Sequence, residues 1–206
     1  MTEIARFEPS AGSASAAELR PIGLDDLASV RYIHASSFRM LAAQHYAPED
    51  IDTFTGYVYG VSYTDALAAA LHREQLYGAW LEGELVGTAG WASADDGRPI
   101  ARLRFIFVRP LFTGMGLGRR LVRAAEDRAR EASFHTFAVY ATVNAVGFFT
   151  RLGYEIASSG VHPLSSACAL RMAVMQKIDP DTTVCAPEAR FARGAIGRTG
   201  STELDS

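Results

Sequence analysis

A run of three alternating glycines, placed between an apolar strand-like stretch and an amphipathic helical stretch, constrains the fold most. The apolar stretch ends at Val108, and residues 117–132 carry apolar positions at helical spacing. Without Cβ atoms, Gly114, Gly116 and Gly118 let the backbone approach a ligand closely. The first N–H groups of the following helix are unpaired donors at the positive end of its dipole. A strand, a glycine loop and a helix in this order predict a cradle that fits a pyrophosphate.

Other interpretations of the loop make different demands on the sequence. The glycines could simply form a tight turn, with Arg119 and Arg120 on a solvated face. A dinucleotide-binding Rossmann unit needs an acidic residue at the end of its second strand, and the strand around Val139 has none. A P-loop needs Gly-Lys followed by Ser or Thr, which is absent at the required spacing.

The apolar pattern predicts an α+β domain with helices before strands. Three helices are expected after residues 25–26, after residues 48–50 and over residues 64–74. The later elements are strands at 76–81, 85–91 and 100–108, helix 117–132, strand 137–141, helix 144–151, and strands near 154–159 and 168–177. The expected architecture is a mixed, mostly antiparallel central sheet of about six to seven strands flanked by helices on both faces.

Composition predicts one folded domain between two tails. The chain has 206 residues, of which 49% are hydrophobic, enough for one ordinary core. Residues 1–20 and 179–206 are small and polar, so we expect a flexible N-terminal tail, a domain over 21–178 and a flexible C-terminal tail.

Charge and cysteine content exclude several classes of function. A formal net charge of −3 gives no general attraction for a polyanion, so no nucleic-acid partner is expected. Cys168 and Cys185 have neither metal-ligand spacing nor a secreted disulfide framework, and the five histidines show no metal-ligand spacing either. With no run of about 18 apolar residues and no export signal, we expect a cytoplasmic protein without a membrane partner or a metal.

Two segments resemble the GNAT N-acetyltransferase superfamily. Residues 107–121 read FVRPLFTGMGLGRRL, which resembles the acetyl-CoA-binding motif V-x-P-x-x-[RQ]-x-x-G-x-[GA]. Residues 144–154 read NAVGFFTRLGY, which resembles the later N-A-x-x-F-Y-x-x-x-G-[FY] segment. The resemblance covers most of residues 22–178 in element order and implies the GNAT fold with acetyl-CoA as co-substrate.

The resemblance also implies a cofactor site at defined positions. The strand that ends at Val108 would splay from the strand near Tyr140, and main-chain groups of Phe107 and Val108 would hold the pantetheine arm. The Val108 N–H would polarise the thioester carbonyl, an oxyanion-hole role. The implied cofactor-binding residues are Phe107, Val108, Thr113, Gly114, Met115, Gly116, Leu117, Gly118, Arg119, Asn144 and Phe149.

The chain departs from the family pattern at the residues that move protons. Phe149 stands where many relatives carry a tyrosine that protonates the leaving thiolate, and phenylalanine has no proton to give. Tyr140 and Tyr154 could substitute only if their hydroxyls reach the sulfur. The strand that carries Arg102 and Arg104 lacks the glutamate that some relatives use as general base. A water relay or an already neutral amine are the remaining routes.

The contacts of two further residues with the cofactor are less clearly defined by the resemblance. Thr113 replaces the usual Gln or Arg, so one side-chain contact near the pyrophosphate is lost, although backbone contacts do not depend on it. Asn144 contacts the cofactor arm by family analogy, or it is only a helix N-cap.

The sequence thus predicts an N-acetyltransferase that moves an acetyl group from acetyl-CoA to a primary amine by direct transfer in a ternary complex. The acceptor is a small molecule or a peptide, and the chain is a monomer or a homodimer. Family analogy places the acceptor near residues 38–63 and 158–166. The tyrosines and carboxylates of residues 38–63 could hold a cationic amine, or they could form an aromatic core patch with acidic residues at a helix start. The alternative is a non-catalytic acyl-CoA-binding or sensing module.

Overall fold

A computed structural model describes residues 17–94, 97–166 and 168–179 of the chain. Its five helices are α1 (Leu27–Leu41), α2 (Pro48–Val58), α3 (Val61–His72), α4 (Leu117–Glu131) and α5 (Val146–Thr150). Its strands are β1 (Glu18–Pro21), β2 (Leu76–Leu81), β3 (Glu84–Ser93), β4 (Ile100–Val108), β5 (Thr136–Thr142), β6 (Glu155–Ser165) and β7 (Cys168–Ile178).

These strands form one sheet in the order β1-β2-β3-β4-β5-β7-β6. Within the described ranges, β4 and β5 form the one parallel pair and every other neighbouring pair is antiparallel. Helix α4 makes the crossover that a parallel pair requires. This arrangement confirms the predicted α+β class and the mixed, mostly antiparallel sheet.

A separate apolar core lies on each face of the sheet. Helices α1, α2 and α3 cover one face, where Val30, Phe38 and Leu67 are buried. Helices α4 and α5 cover the other face through residues such as Leu121 and Phe149. The sheet is therefore covered on both faces, as the order of the predicted elements indicated.

Element boundaries differ from the predicted ones at several places. Strand β6 ends at Ser165 in place of residue 159, and α3 spans Val61–His72 in place of residues 64–74. Strand β1 lies partly within the residues assigned to the N-terminal tail and pairs with β2, Leu19 opposite Ala79. Its residues are mostly exposed, so it carries no alternating signal. The predicted helix over 144–151 is shorter, because a 3-10 turn (Val143–Ala145) precedes α5. Residues 1–16 and 180–206 of the predicted tails lie outside the described residues.

Strands β4 and β5 separate over their second halves. Their pairing runs from Ile100 opposite Thr136 to Leu103 opposite Val139, although both strands continue beyond it. Just after this point β4 bulges: its register with β3 shifts, and Phe105 adopts a left-handed φ of 56°. The splay that the family resemblance implies is present, and it opens a gap in the sheet next to the glycine loop.

Candidate functional site

The gap between β4 and β5 and the glycine loop open into one cavity of about 540 Å³. Its walls come from α1, the end of β4, the loop before α4, the end of β5 and α5. Ten of the eleven residues implied by the sequence motifs line it: Phe107, Val108, Thr113, Gly114, Gly116, Leu117, Gly118, Arg119, Asn144 and Phe149. The two motifs, far apart along the chain, thus meet in one place.

The glycine loop has the backbone geometry of an open cradle. Gly114 and Gly116 have φ angles of 79° and 82°, in the left-handed region that favours glycine. A Cβ atom added at either would meet no other atom within 4 Å, so the space in front of the loop is empty of protein. Gly116 is also the N-cap of α4 and offers no side chain to the first helical N–H groups. The loop therefore leaves room and donors for an anion.

The charge at the start of α4 is unusual for a helix. Acidic residues are favoured near a helix N-terminus, yet the first turn of α4 has none and carries Arg119 and Arg120. Arg119 lines the cavity, whereas Arg120 donates a hydrogen bond to the carbonyl of Ala17 at 2.7 Å. This end of the helix is thus arranged to receive negative charge from a ligand, with Arg119 as the available cation.

At the end of β4, the main-chain groups of Val108 point into the gap. The Arg109 N–H donates to the carbonyl of Val86 on β3 at 2.8 Å. Successive residues of a strand direct their main-chain groups to opposite sides, so those of Val108 point away from β3. Its carbonyl accepts a hydrogen bond from Ser37 Oγ at 2.9 Å. By the same alternation Phe107 contributes its side chain to the cavity, while its main-chain groups face β3.

Asn144 does not cap α5, because the N-cap of that helix is Ala145. Its Oδ1 is buried and has no hydrogen-bond partner among the described residues, although the residue lines the cavity. A buried acceptor without a partner is costly and rare in folded proteins. The arrangement favours contact with a ligand over the capping role.

Three loop residues contribute in other ways. The hydroxyl of Thr113 donates to the carbonyl of Pro110 at 2.8 Å, which stabilises the turn. Leu117 is 1% exposed and packs in the core, so only its main chain is available to a ligand. Met115 also packs against that core and is the one predicted residue that does not line the cavity.

Neither Tyr140 nor Tyr154 takes the place of the missing acid at Phe149. Phe149 is a buried part of the cavity wall, packed edge-on against Tyr154 at 5.4 Å between ring centroids. The Tyr154 hydroxyl donates to Glu126 Oε1 at 2.8 Å, and burial together with that carboxylate raises the pKa of Tyr154. Tyr140 packs against His162 instead. Neither tyrosine lines the cavity.

Two histidines that the motifs did not indicate lie at or behind the cavity. His45 lines it and is the one histidine of its lining. His34, on α1, is fully buried, and burial lowers its pKa to about 3, so it stays neutral. The sequence signal for His34 was its position in the apolar stripe of α1, which also fits an ordinary core residue.

The structure does not gather the tyrosines of residues 38–63 around the cavity. The Tyr46 hydroxyl donates to the Arg171 carbonyl at 2.5 Å, and the Tyr63 hydroxyl lies 2.8 Å from His34 Nδ1. Tyr59 is exposed beside Arg31. None of these lines the cavity, and the hydroxyls of Tyr46 and Tyr63 are engaged within the protein.

The described residues form neither a metal-binding cluster nor a helix that could cross a membrane. In that part of the chain, no three His, Cys, Asp or Glu side chains are placed to hold a metal ion. No helix there has the length and apolar character needed to span a bilayer.

Comparison with known proteins identifies the family. The model of the acetyltransferase (GNAT) family matches residues 33–154 of this chain. A GCN5-related N-acetyltransferase from Rhodopseudomonas palustris is similar in structure, with a TM-score of 0.68, 24% identity, and coverage of 79% of this chain and 96% of that one. No curated protein matches significantly in sequence.

Two similar structures are complexes with coenzyme A or acetyl-CoA. The PaiA N-acetyltransferase from Thermoplasma acidophilum, in complex with coenzyme A, has a TM-score of 0.60 and 20% identity, with 79% of this chain and 98% of that one covered. YncA from Salmonella typhimurium, a putative acetyltransferase with acetyl-CoA, has a TM-score of 0.59 and 19% identity, with 84% and 98% covered.

Proposed function

The chain belongs to the GNAT acetyltransferase family, and from this premise we propose that it transfers an acetyl group from acetyl-CoA to a primary amine. The acceptor amine belongs to a small molecule or a peptide, and transfer is direct, within a ternary complex. One observation carries the proposal: a single cavity joins the splayed end of β4 to the glycine loop. Similar structures that hold coenzyme A or acetyl-CoA support the same ligand for this cavity.

The residues of the cavity fit acetyl-CoA by charge and by shape. Main-chain N–H groups from Gly114 to Arg119 and the Arg119 side chain would hold the pyrophosphate. The buried Oδ1 of Asn144 would accept a hydrogen bond from an amide N–H of the pantetheine arm. When bound, the thioester supplies an acetyl group that is activated for attack by an amine.

Val108 and Phe149 would surround the reacting thioester. The Val108 N–H, which points into the gap, would donate to the carbonyl oxygen as negative charge develops on it. Phe149 supplies a dry apolar wall and no proton. Departure of the sulfur as a thiolate remains feasible, because an ordinary thiol ionises near pH 8.5.

The attacking amine must lose a proton, and His45 is the acceptor that the cavity offers. Its imidazole would take the ammonium proton before attack or the amide proton during it. The water relay and the already neutral amine stay as the routes that need no side chain.

A non-catalytic acyl-CoA-binding or sensing module is the second candidate function. The burial of Phe149 in the cavity wall favours it, since the usual acid has no substitute among the tyrosines considered. The two candidates differ in turnover and agree in ligand binding.

The first test is isothermal titration of the protein with acetyl-CoA, using two matched glycine variants. Gly116→Glu places a side chain and a negative charge in the cradle, and we expect it to weaken binding by about 100-fold or more. Gly83→Glu is the control, because Gly83 has a similar φ of 83°, has open space around its Cβ position and lies in the turn between β2 and β3. It should bind acetyl-CoA as the wild type does.

Thiol release with a panel of amines then separates the two functions. Release with at least one amine supports the transferase, and binding without any release supports the sensing module. A wild-type protein that binds no acetyl-CoA would contradict both.

His45→Gln tests the proton acceptor, with His72→Gln at the exposed end of α3 as control. Loss of a general base should lower kcat about 100-fold at pH 7 and less at pH 9.5, where more of the amine is already neutral. A change below about twofold would assign proton removal to water or to the neutral amine.

A further inference from the structure

A continuous chain of three buried polar side chains lies behind the bulge of β4. The Tyr63 hydroxyl of α3 lies 2.8 Å from Nδ1 of His34 on α1. Nε2 of His34 lies 2.8 Å from Oγ1 of Thr88 on β3, and Oγ1 of Thr88 lies 2.6 Å from the carbonyl oxygen of Phe105 on β4. His34 and Thr88 are both 0% exposed. Four elements are thus joined by hydrogen bonds between buried side chains and the β4 main chain.

The hydrogen bonds of this polar chain run in one direction. The single hydroxyl hydrogen of Thr88 is donated to the Phe105 carbonyl, which has no hydrogen of its own to give. Thr88 Oγ1 must therefore accept from His34, which requires a hydrogen on Nε2. Nδ1 is then the acceptor of the imidazole and receives the Tyr63 hydroxyl hydrogen. Each hydrogen has one place, and the network assigns the Nε2–H tautomer to His34.

The polar chain ends at the bulge of β4, just after the pairing of β4 with β5 stops. Phe105 has the left-handed φ of the bulge, a strained conformation for a residue with a side chain. Two residues later, Phe107 faces the cavity and stacks on the His34 ring at 4.3 Å between centroids. One helical turn after His34, Ser37 holds the carbonyl of Val108. Helix α1 therefore contacts β4 at the start and at the end of the splayed segment.

The properties of His34 suit a neutral link and exclude a proton carrier. Both ring nitrogens are engaged, and burial lowers the pKa of His34 to about 3. The polar chain ends at a carbonyl oxygen, which cannot pass a proton on. The polar chain can therefore hold groups in position but cannot carry a proton.

We propose that Tyr63, His34 and Thr88 form a positioning network that holds the β4 bulge, so that the Val108 N–H stays directed at the thioester carbonyl. The inference rests on the proposed acetyl transfer and assigns these three residues as positioning residues for it. Thr88 is the decisive link, because its hydroxyl is the one that contacts β4. The glycine loop, which holds the pyrophosphate, lies outside the network.

Steady-state kinetics of Thr88 variants test the network. Thr88→Val removes the hydroxyl and should lower kcat about 30-fold through misplacement of the Val108 N–H, while the Kd for coenzyme A changes by less than about threefold. Thr88→Ser keeps the hydroxyl and should retain kcat within about threefold. Adding Tyr63→Phe to Thr88→Val should cause little further loss, because both changes break one network.

Tyr154→Phe is the matched control for a merely structural effect. It also deletes one buried hydroxyl, on the opposite face of the sheet, and should leave kcat unchanged within about twofold. The proposal is overturned if Thr88→Val keeps kcat within that range, or if Thr88→Ser is impaired as strongly as Thr88→Val.

Nitrogen-15 spectra of the imidazoles test the network without relying on turnover. We expect His34 to carry its hydrogen on Nε2 and to show no titration from pH 7.5 to pH 5. A hydrogen on Nδ1, or a titration in that range, overturns the network and leaves the transferase proposal standing. The expected spectrum from a wild-type protein that acetylates no amine overturns the proposed function and the positioning role with it.

Discussion

Each face of the sheet holds one buried polar cluster, and the two clusters use opposite electrostatics. On the α1 face, Tyr63, His34 and Thr88 form a neutral chain with one hydrogen per link. On the α4 face, the carboxylate of Glu126 is 2% exposed and accepts hydrogen bonds from Lys177 and Tyr154. The neutral cluster contacts the cavity wall at Phe107 through His34, and the charged one contacts it at Phe149 through Tyr154.

The difference reflects what each cluster has to hold. Glu126 binds α4 to β7 through Lys177 Nζ at 2.9 Å and contacts Arg130 at 3.4 Å. A buried charge needs several partners of this kind, which join elements but impose no single direction. A neutral chain contacts one carbonyl, that of Phe105, and brings no full charge to β4. Stability and positioning are thus assigned to different faces.

The largest effect should come from removing the charge of Glu126. Glu126→Gln leaves Lys177 and Arg130 without their shared carboxylate, and we expect a loss of about 3 kcal/mol in the free energy of unfolding. Chemical denaturation measures it. Asp127→Asn, on the exposed side of α4, is the control and should cost less than about 0.5 kcal/mol. Equal losses in both variants would show that the buried carboxylate has no special role.

The second largest effect should be a loss of stability of the neutral cluster at acidic pH. Burial lowers the pKa of His34 from 6.5 to about 3, so between these values the unfolded state binds a proton that the folded state does not. The contribution of His34 is therefore complete above pH 6.5 and decreases as the pH falls toward 3. From pH 6.5 to pH 5 the free energy of unfolding should drop by about 2 kcal/mol from this residue.

Urea unfolding at a series of pH values checks this dependence. His34→Gln should flatten the slope between pH 6.5 and 5, and His72→Gln should leave it unchanged. A wild-type profile that is flat over this range contradicts the neutral assignment of His34.

Two substitutions that each remove one tyrosine hydroxyl compare the stability of the two clusters directly. Tyr154→Phe removes a hydrogen bond to a carboxylate and should cost about 1.5 kcal/mol, whereas Tyr63→Phe removes one to a neutral imidazole and should cost about 1 kcal/mol. Thermal and chemical denaturation measure both. Only Tyr63→Phe should also affect acetyl transfer; the reverse pattern would exchange the roles of the two faces.

Ionic strength should give the smallest effect. Arg130 is partly exposed and also contacts Asp127 and Asp179, so salt screens this edge of the charged cluster. Raising salt from 0.05 to 0.5 M should lower the free energy of unfolding by about 0.5 kcal/mol or less, with less change still in Glu126→Gln. The same salt series should leave the nitrogen-15 shifts of His34 unchanged.

Local sequence patterns predicted the helices and strands and the glycine-loop side of the candidate site. Apolar spacing located the helices and strands except β1, whose exposed residues carry no alternation. The glycine spacing predicted a left-handed loop before α4, and Gly114 and Gly116 have the expected backbone angles. The identity of residue 149 already excluded a tyrosine acid at that position, but it left Tyr140 and Tyr154 open as substitutes. The roles of these residues in cofactor binding stay predictions.

Long-range packing decided the rest. The partners of His34 lie 29 and 54 residues away along the chain, so no local pattern separates it from an ordinary core residue of α1. Likewise the motif could not show that Met115 turns into the core, that Tyr154 bonds to Glu126, or that His45 reaches the cavity.

By itself the sequence determined the order of elements and the open backbone of the glycine loop, because both depend on residue spacing and on the freedom of glycine. Only the tertiary structure decided where β4 leaves β5 and which polar groups hold it there. Those features depend on strand register and on side chains brought together from α1, α3 and β3, and the spacing of residues along one element carries no information about them.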